Sequence, residues 1–218
     1  MIPKGEIECL RPRQWLTDSV INVYLQIVAA SKSNIHIFNT QFYPLLTEGH
    51  PRIIRWSRRI NINLHDTIMI PIHHPAHWAL IVVFIAHNTI VYINSMGNHQ
   101  GISTLQNIKS FIAISTAQYW PNTIHDFDSF VCINVAGNPQ QDNGDDCGVF
   151  TLAAAYNIIN RIQYVERITN DSIVSLLSFD RNSMNRWRQK IRHEIETSTI
   201  PLQQAEQVLA RHLVEDTN

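Results

Sequence analysis

Charge is scarce in this chain. Only 16% of its 218 residues are Asp, Glu, Lys or Arg, against roughly a quarter in ordinary soluble domains. The net charge of −1 and a pI near 6.8 argue against nucleic acid as a partner of the whole surface, because phosphate binding demands a basic face. Cysteine is rarer still. Cys9, Cys132 and Cys147 cannot all pair and do not have the spacing of a metal site, so a disulfide scaffold is excluded and a reducing compartment is implied. Long apolar runs are also missing. The longest, over 79–86, is far short of the roughly 20 residues a membrane helix requires. The first ten residues carry charges and a proline without an apolar core, unlike a signal peptide. With no repeat or low-complexity tract, and with 44% hydrophobic residues, the expectation is a soluble, intracellular globular domain in the nucleus or cytoplasm, large enough to bury a sizeable core.

Periodicity supplies the elements. Apolar residues at Leu16, Val20, Val23, Tyr24, Ile27 and Val28 predict a helix over 16–30, capped by Thr17 or Asp18. A short helix is expected over 41–46. Three β-branched, largely apolar runs follow at 67–72, 78–85 and 89–93, as strands buried on both faces would read. The connection 86–88 is short enough to make the last two an antiparallel hairpin. Further helices are expected over 105–119, 147–162, 171–177, 183–195 and 202–214, and a strand over 130–136. Helices therefore flank a central block of strands, an α+β order.

The segment Gln140-Gln141-Asp142-Asn143-Gly144-Asp145-Asp146-Cys147-Gly148 leads straight into the apolar helix expected from 147. A thiol at a helix N-terminus is in a setting that lowers its pKa and favours the nucleophilic thiolate. Gly144 and Gly148 permit a sharp turn and the close approach of a substrate backbone. Gln141, six residues before the sulfur, can donate an amide N–H to an oxyanion. Without that context, Cys147 would read as a small core residue.

A nucleophilic cysteine needs a base, and the base an orienting partner. Of 11 histidines, His77 opens the most buried-looking strand. Asn94 closes the next strand, before the turn Ser95-Met96-Gly97. If the two strands form a hairpin, both residues lie near one end, where the Asn94 oxygen would take the His77 Nδ1–H and leave Nε2 toward the sulfur.

These residues resemble a known family. His77-Trp78, Asn94-Ser95-Met96-Gly97 and Pro139-Gln140-Gln141 through Cys147-Gly148 are similar to the motifs of the ubiquitin-like-protein (Ulp/SENP) cysteine peptidases, in that family's order. Trp15-Leu16-Thr17-Asp18-Ser19-Val20-Ile21-Asn22 resembles a further segment, and Met184 to Ile195, with Arg188, its C-terminal helix. The resemblance covers about residues 6–196. It implies a papain-like cysteine proteinase fold with a central mixed sheet, no metal or cofactor, and cleavage after the diglycine tail of SUMO or a related modifier as partner. By the same matching, Trp15 and Trp78 roof and floor a tunnel that admits only glycine, and Asp18 contacts the modifier. The family usually has Asp where this chain has Asn94. That change costs a serine protease about 10⁴ in turnover by fixing the wrong tautomer. A cysteine site depends on it less, because a thiolate–imidazolium pair can form before substrate arrives.

The bland readings are these. Cys132 is expected in the core and Cys9 to carry no chemistry. His73 and His74 point apart on a strand, without a metal motif. Arg52, Arg55 and Arg59 form a solvated helix face. The domain is expected to span 1–198, with a helical extension over 199–218. Two other functions fit the residues: a viral, bacterial or mobile-element peptidase acting on a polyprotein or another tail, and a catalytically weak modifier-binding module, which Asn94 keeps in play.

Overall fold

The computed structural model describes residues 3–198, apart from 31, 51–52, 54–57, 59 and 98–99. The arginine face proposed for Arg52, Arg55 and Arg59, and the helix expected over 202–214, lie outside the described residues.

The three central apolar runs form strands β2 (Thr67–His74), β3 (His77–Phe84) and β4 (Thr89–Ile93). β2 and β3 pair antiparallel across the two-residue turn Pro75-Ala76, in which Ala76 takes a positive φ of 58°. β3 and β4 pair antiparallel through 85–88, as expected, with Leu80 opposite Ile93. Two short strands complete a mixed sheet in chain order: β1 (Ile35–Ile37), parallel to β2, and β5 (Val131–Asn134), parallel to β4. β1 carries too few residues to show a period and was not legible beforehand. Its shortness accommodates Pro71, which lies beyond the last β1–β2 pair at Ile37 and Met69, where no neighbour needs its missing N–H.

Alternate residues of the central strands enter two cores, which is why their sequences read as continuously apolar. Met69, Leu80, Val82, Phe84, Val91 and Ile93 face helices α2 (Asp18–Ala29), α5 (Cys147–Arg161) and α7 (Met184–Thr197). Ile68, Ile70, Ile72, Ala79, Ile81, Val83, Ile90 and Tyr92 face α3 (Phe42–Thr47) and α4 (Gly101–Tyr119). A one-turn helix, α1 (Lys4–Ile7), precedes these, and α6 (Asn170–Leu176) joins the first core. Thr17 caps α2, its hydroxyl accepting from the Val20 N–H, and Thr169 caps α6 through a capping box with Ser172. Cys132 corrects the expectation made for it: it is exposed, because β5 is an edge strand with its first two residues open to solvent. Among the described residues no helix is long and apolar enough to cross a membrane.

Leu80 is wholly buried in the core shared with α5. Leu80→Ala should destabilise the fold by about 2–5 kcal/mol through lost burial and the cavity left behind, measured by denaturant titration.

Candidate active site

Three loops meet at the ends of β3 and β4. Cys147 is the first residue of α5 and is buried. The turn before it is knitted by Asn143, whose side-chain oxygen accepts from the Asp145 and Asp146 N–H groups at 3.1 and 3.0 Å. Burial pushes the Cys147 thiol above its ordinary 9.0; the backbone N–H groups of Trp78, Gly148 and Cys147 itself pull it down, and the Asp146 charge pushes it up. The helix start therefore acts in the expected direction but is outweighed, since desolvation of a thiolate costs more than these N–H groups return. Because the Trp78 N–H acts on the sulfur, Cys147 lies beside the strand end that carries His77.

His77 Nε2 lies 2.7 Å from Asn94 Oδ1. Oδ1 also accepts from the Met96 N–H at 2.8 Å, which identifies that end of the amide as the oxygen. Nε2 must then carry the proton and Nδ1 the lone pair. This reverses the two nitrogens of the sequence expectation. Nδ1 is buried, without a hydrogen-bond partner among the described residues. Burial pushes the His77 imidazole below its ordinary 6.5, opposed by the Asn94 hydrogen bond. Burial thus disfavours both charged forms, thiolate and imidazolium, and works against the thiolate–imidazolium pair the sequence reading allowed.

Gln141 is held from two sides. Its backbone N–H donates to the Ser95 carbonyl at 2.8 Å, and its Oε1 accepts from the Ser95 hydroxyl at 2.6 Å. Nε2 donates to the Asn143 carbonyl at 2.6 Å, which leaves its second N–H to offer. Gln140 ties the same loops: Oε1 accepts from the Gly97 N–H at 2.6 Å, and Nε2 donates to the Asn94 carbonyl at 3.1 Å. Asn138 donates to that carbonyl as well, at 2.9 Å. Gly97 sits at φ 83°, where a side chain would be strained. Sequence reasoning gave no role to Ser95, Asn138 or Gln140, which do their work only across loops.

The two glycines differ. A Cβ on Gly148 would stand 2.9 Å from Leu16 Cβ, so this glycine admits Leu16, while Gly144 has open space around it. Leu16 is fixed further by its carbonyl, which accepts from the Trp78 indole N–H at 3.2 Å. The structure thus brings the Trp15–Leu16 segment onto both Trp78 and the nucleophile helix. Trp15 itself is 56% exposed and Trp78 only 4%. Asp18, half-buried, accepts from Gln41 Nε2 at 2.6 Å and Thr40 Oγ1 at 3.3 Å. His73 stacks on the Trp78 ring, whereas His74 faces Tyr43 and Tyr92, so the two adjacent histidines do point apart.

Arg188, on α7, is a residue whose role sequence reasoning missed. It is 1% exposed and donates Nε and Nη2 to Asp146 Oδ1 at 3.0 and 2.7 Å. It also donates to the carbonyls of Cys9, Arg11, Gln14 and Asp145 at 2.9–3.1 Å. One guanidinium thereby joins the chain leading to Trp15, the turn before Cys147 and the last described helix. The clue was its place on the stripe Met184, Arg188, Ile191, Ile195, otherwise apolar and buried.

A cysteine at the start of a buried helix, beside the end of a strand whose first residue is a histidine paired with an asparagine, on a mixed sheet flanked by helices, belongs to the papain-like cysteine proteinase fold. Solved structures agree. A structure of the SUMO protease Ulp1 with its catalytic cysteine oxidised to a sulfenic acid is 27% identical, covering 90% of this chain and 84% of that one at a TM-score of 0.74. The C-terminal Ulp1 protease domain in complex with Smt3, the yeast ortholog of SUMO, is 26% identical over 88% of this chain and 81% of that one at 0.71. Residues 14–200 match the model of the Ulp1 protease family, C-terminal catalytic domain, and the chain belongs to that family. Sentrin-specific protease 2 of Homo sapiens is 27% identical over 89% of this chain and 32% of its own length. Sentrin-specific protease 5 of Homo sapiens is 31% identical over 70% of this chain and 20% of its own length. The chain thus spans about a third of the length of the first of these relatives.

Removing Arg188 strands the buried Asp146 carboxylate. Arg188→Ala should cost about 3–5 kcal/mol of stability, read from the shift in a urea unfolding midpoint.

Proposed function

We propose that this chain is a cysteine peptidase that cleaves the peptide or isopeptide bond after the C-terminal Gly-Gly of SUMO or a related ubiquitin-like modifier. The observation that carries the reading is the His77–Asn94 pair with its unpartnered Nδ1, set beside the strand end whose Trp78 N–H acts on the Cys147 sulfur. Family membership and the Ulp1–Smt3 complex support the substrate class. The reading takes 1–198 as the peptidase domain and the nucleus or cytoplasm as its place of work.

Cys147 is the nucleophile and His77 the general base. The Sγ proton passes to His77 Nδ1 as the sulfur attacks the carbonyl carbon of the terminal glycine, forming the C–S bond. Burial disfavours charge on both groups, so the transfer accompanies the attack in this reading. The second Gln141 N–H, with the Cys147 backbone N–H, holds the oxyanion. As the tetrahedral intermediate collapses, the C–N bond breaks and His77 returns the proton to the leaving amine. Water, deprotonated by His77, then hydrolyses the thioester and restores the thiol. Asn94 keeps Nε2 protonated throughout, so an amide supplies the tautomer that a carboxylate would. Trp15 and Trp78 bound the tail, whose glycines have no β-carbon to meet the indoles, and Asp18 faces the body of the modifier.

A SUMO–fluorophore conjugate should be cleaved by the purified chain, and Cys147→Ala should reduce turnover by at least about 10³-fold; a variant that keeps its rate removes the nucleophile. The pH profile tests the base. Burial disfavours charged His77, so more acid than usual is needed to protonate it. The acid limb of kcat/KM should have its midpoint below 6.5, and a midpoint above that value contradicts the assignment.

A further inference from the structure

Resting on that reading, one further arrangement accounts for how an asparagine serves at position 94. Four polar side chains share one face of the sheet near the ends of β2, β3 and β4: His74, His77, Tyr92 and Asn94. Their parity is that of Ile72, Ala79 and Ile90, which line the second core. They form a single file. His77 Nε2 meets Asn94 Oδ1 at 2.7 Å, Asn94 Nδ2 donates to the Tyr92 hydroxyl oxygen at 3.2 Å, and that oxygen lies 3.3 Å from His74 Nε2. Asn94 is 5% exposed and Tyr92 wholly buried.

A carboxylate accepts at both oxygens and orients a histidine whichever way it is turned. An amide has one accepting end and one donating end. Turned over, Asn94 would present Nδ2 to His77 Nε2, and the imidazole proton would move to Nδ1, the nitrogen that must take the thiol proton. A Tyr92 hydroxyl free to donate would draw Oδ1 toward itself and favour that turn; the other group within reach of the hydroxyl is His74 Nε2.

We propose that His74 and Tyr92 are positioning residues of the catalytic centre: His74 Nε2 takes the Tyr92 hydroxyl proton, the Tyr92 oxygen is left to accept from Asn94 Nδ2, and Oδ1 is thereby kept on His77. The protonation states suit these roles. Burial lowers the His74 pKa, with the His77 and His73 charges adding to it, so His74 offers a lone pair at neutral pH. Burial pushes Tyr92 up to about 12, so its proton stays on. The Met96 N–H supplies a second, independent restraint on Oδ1, which limits the effect of losing the first.

Tyr92→Phe removes the acceptor for Nδ2 and should lower kcat on the SUMO–fluorophore conjugate by about tenfold, the weight of one buried hydrogen bond, with KM within twofold. Adding Asn94→Asp should restore most of the lost rate, because a carboxylate has no wrong way round. Histidine ¹⁵N shifts of the full chain, read without substrate, should show His77 as the Nε2–H tautomer and a mixture of tautomers in Tyr92→Phe. His74→Phe, which frees the Tyr92 proton, should act in the same direction and serves if Tyr92→Phe does not fold. Unchanged kcat and tautomer in these variants, or a double variant as slow as Tyr92→Phe alone, overturns the proposal. Asn94→Ala separates this from failure of the catalytic reading: if it leaves kcat intact, Asn94 has no catalytic part, whereas if it is slow and Tyr92→Phe is not, only the role of the file is lost.

Discussion

Asn94 is the point at which separate stretches of chain are held in one geometry. Its side chain orients His77, its backbone carbonyl accepts from Asn138 and Gln140, and the following residue, Ser95, fixes Gln141 by two hydrogen bonds. His77 and Gln141 are therefore both positioned from one turn at the end of β4. The β3–β4 register places Leu80 opposite Ile93, and a slip of one residue would carry Asn94 to the other face of the sheet.

The sulfur reaches the same place by another route. Its helix is anchored in the core on the opposite face from Tyr92, and its turn is clamped by Arg188 through Asp146. A buried ion pair brings little net stability when desolvation is counted. Its value here is positional, since four further hydrogen bonds from one rigid guanidinium to backbone carbonyls set the Trp15 segment against the turn before Cys147. Leu16 closes the join from both sides, packing on Gly148 and bonding to the Trp78 indole. The Trp15–Leu16 segment is thus tied to both the Cys147 helix and the strand that carries His77.

The site is a network of oriented amides. Asn94, Gln140, Gln141 and Asn143 each have the accepting end identified by a backbone N–H or a hydroxyl. Satisfied in this way, the amides bring no net charge close to a sulfur whose pKa burial already raises. Burial disfavours charge on both Cys147 and His77, which suits the proposed exchange of a proton between them during attack.

Much of this was legible in the residues themselves. Continuous apolar runs gave three central strands, the 3.6-residue period gave the helix over 18–29 and the one that starts at Cys147, and the order of His77, Asn94, Gln141 and Cys147 gave the family. Local chemistry writes these directly: strands buried on both faces have no polar positions, and a nucleophile must sit at an element end. Which nitrogen of His77 faces Asn94, which way each amide points, the upward push on the thiol, the exposure of Cys132 and the buried task of Arg188 were decided by tertiary structure alone. Each depends on what another part of the chain places within about 3 Å, and hydrogen bonds and desolvation at that range follow neighbours in space, which a linear order of residues does not state.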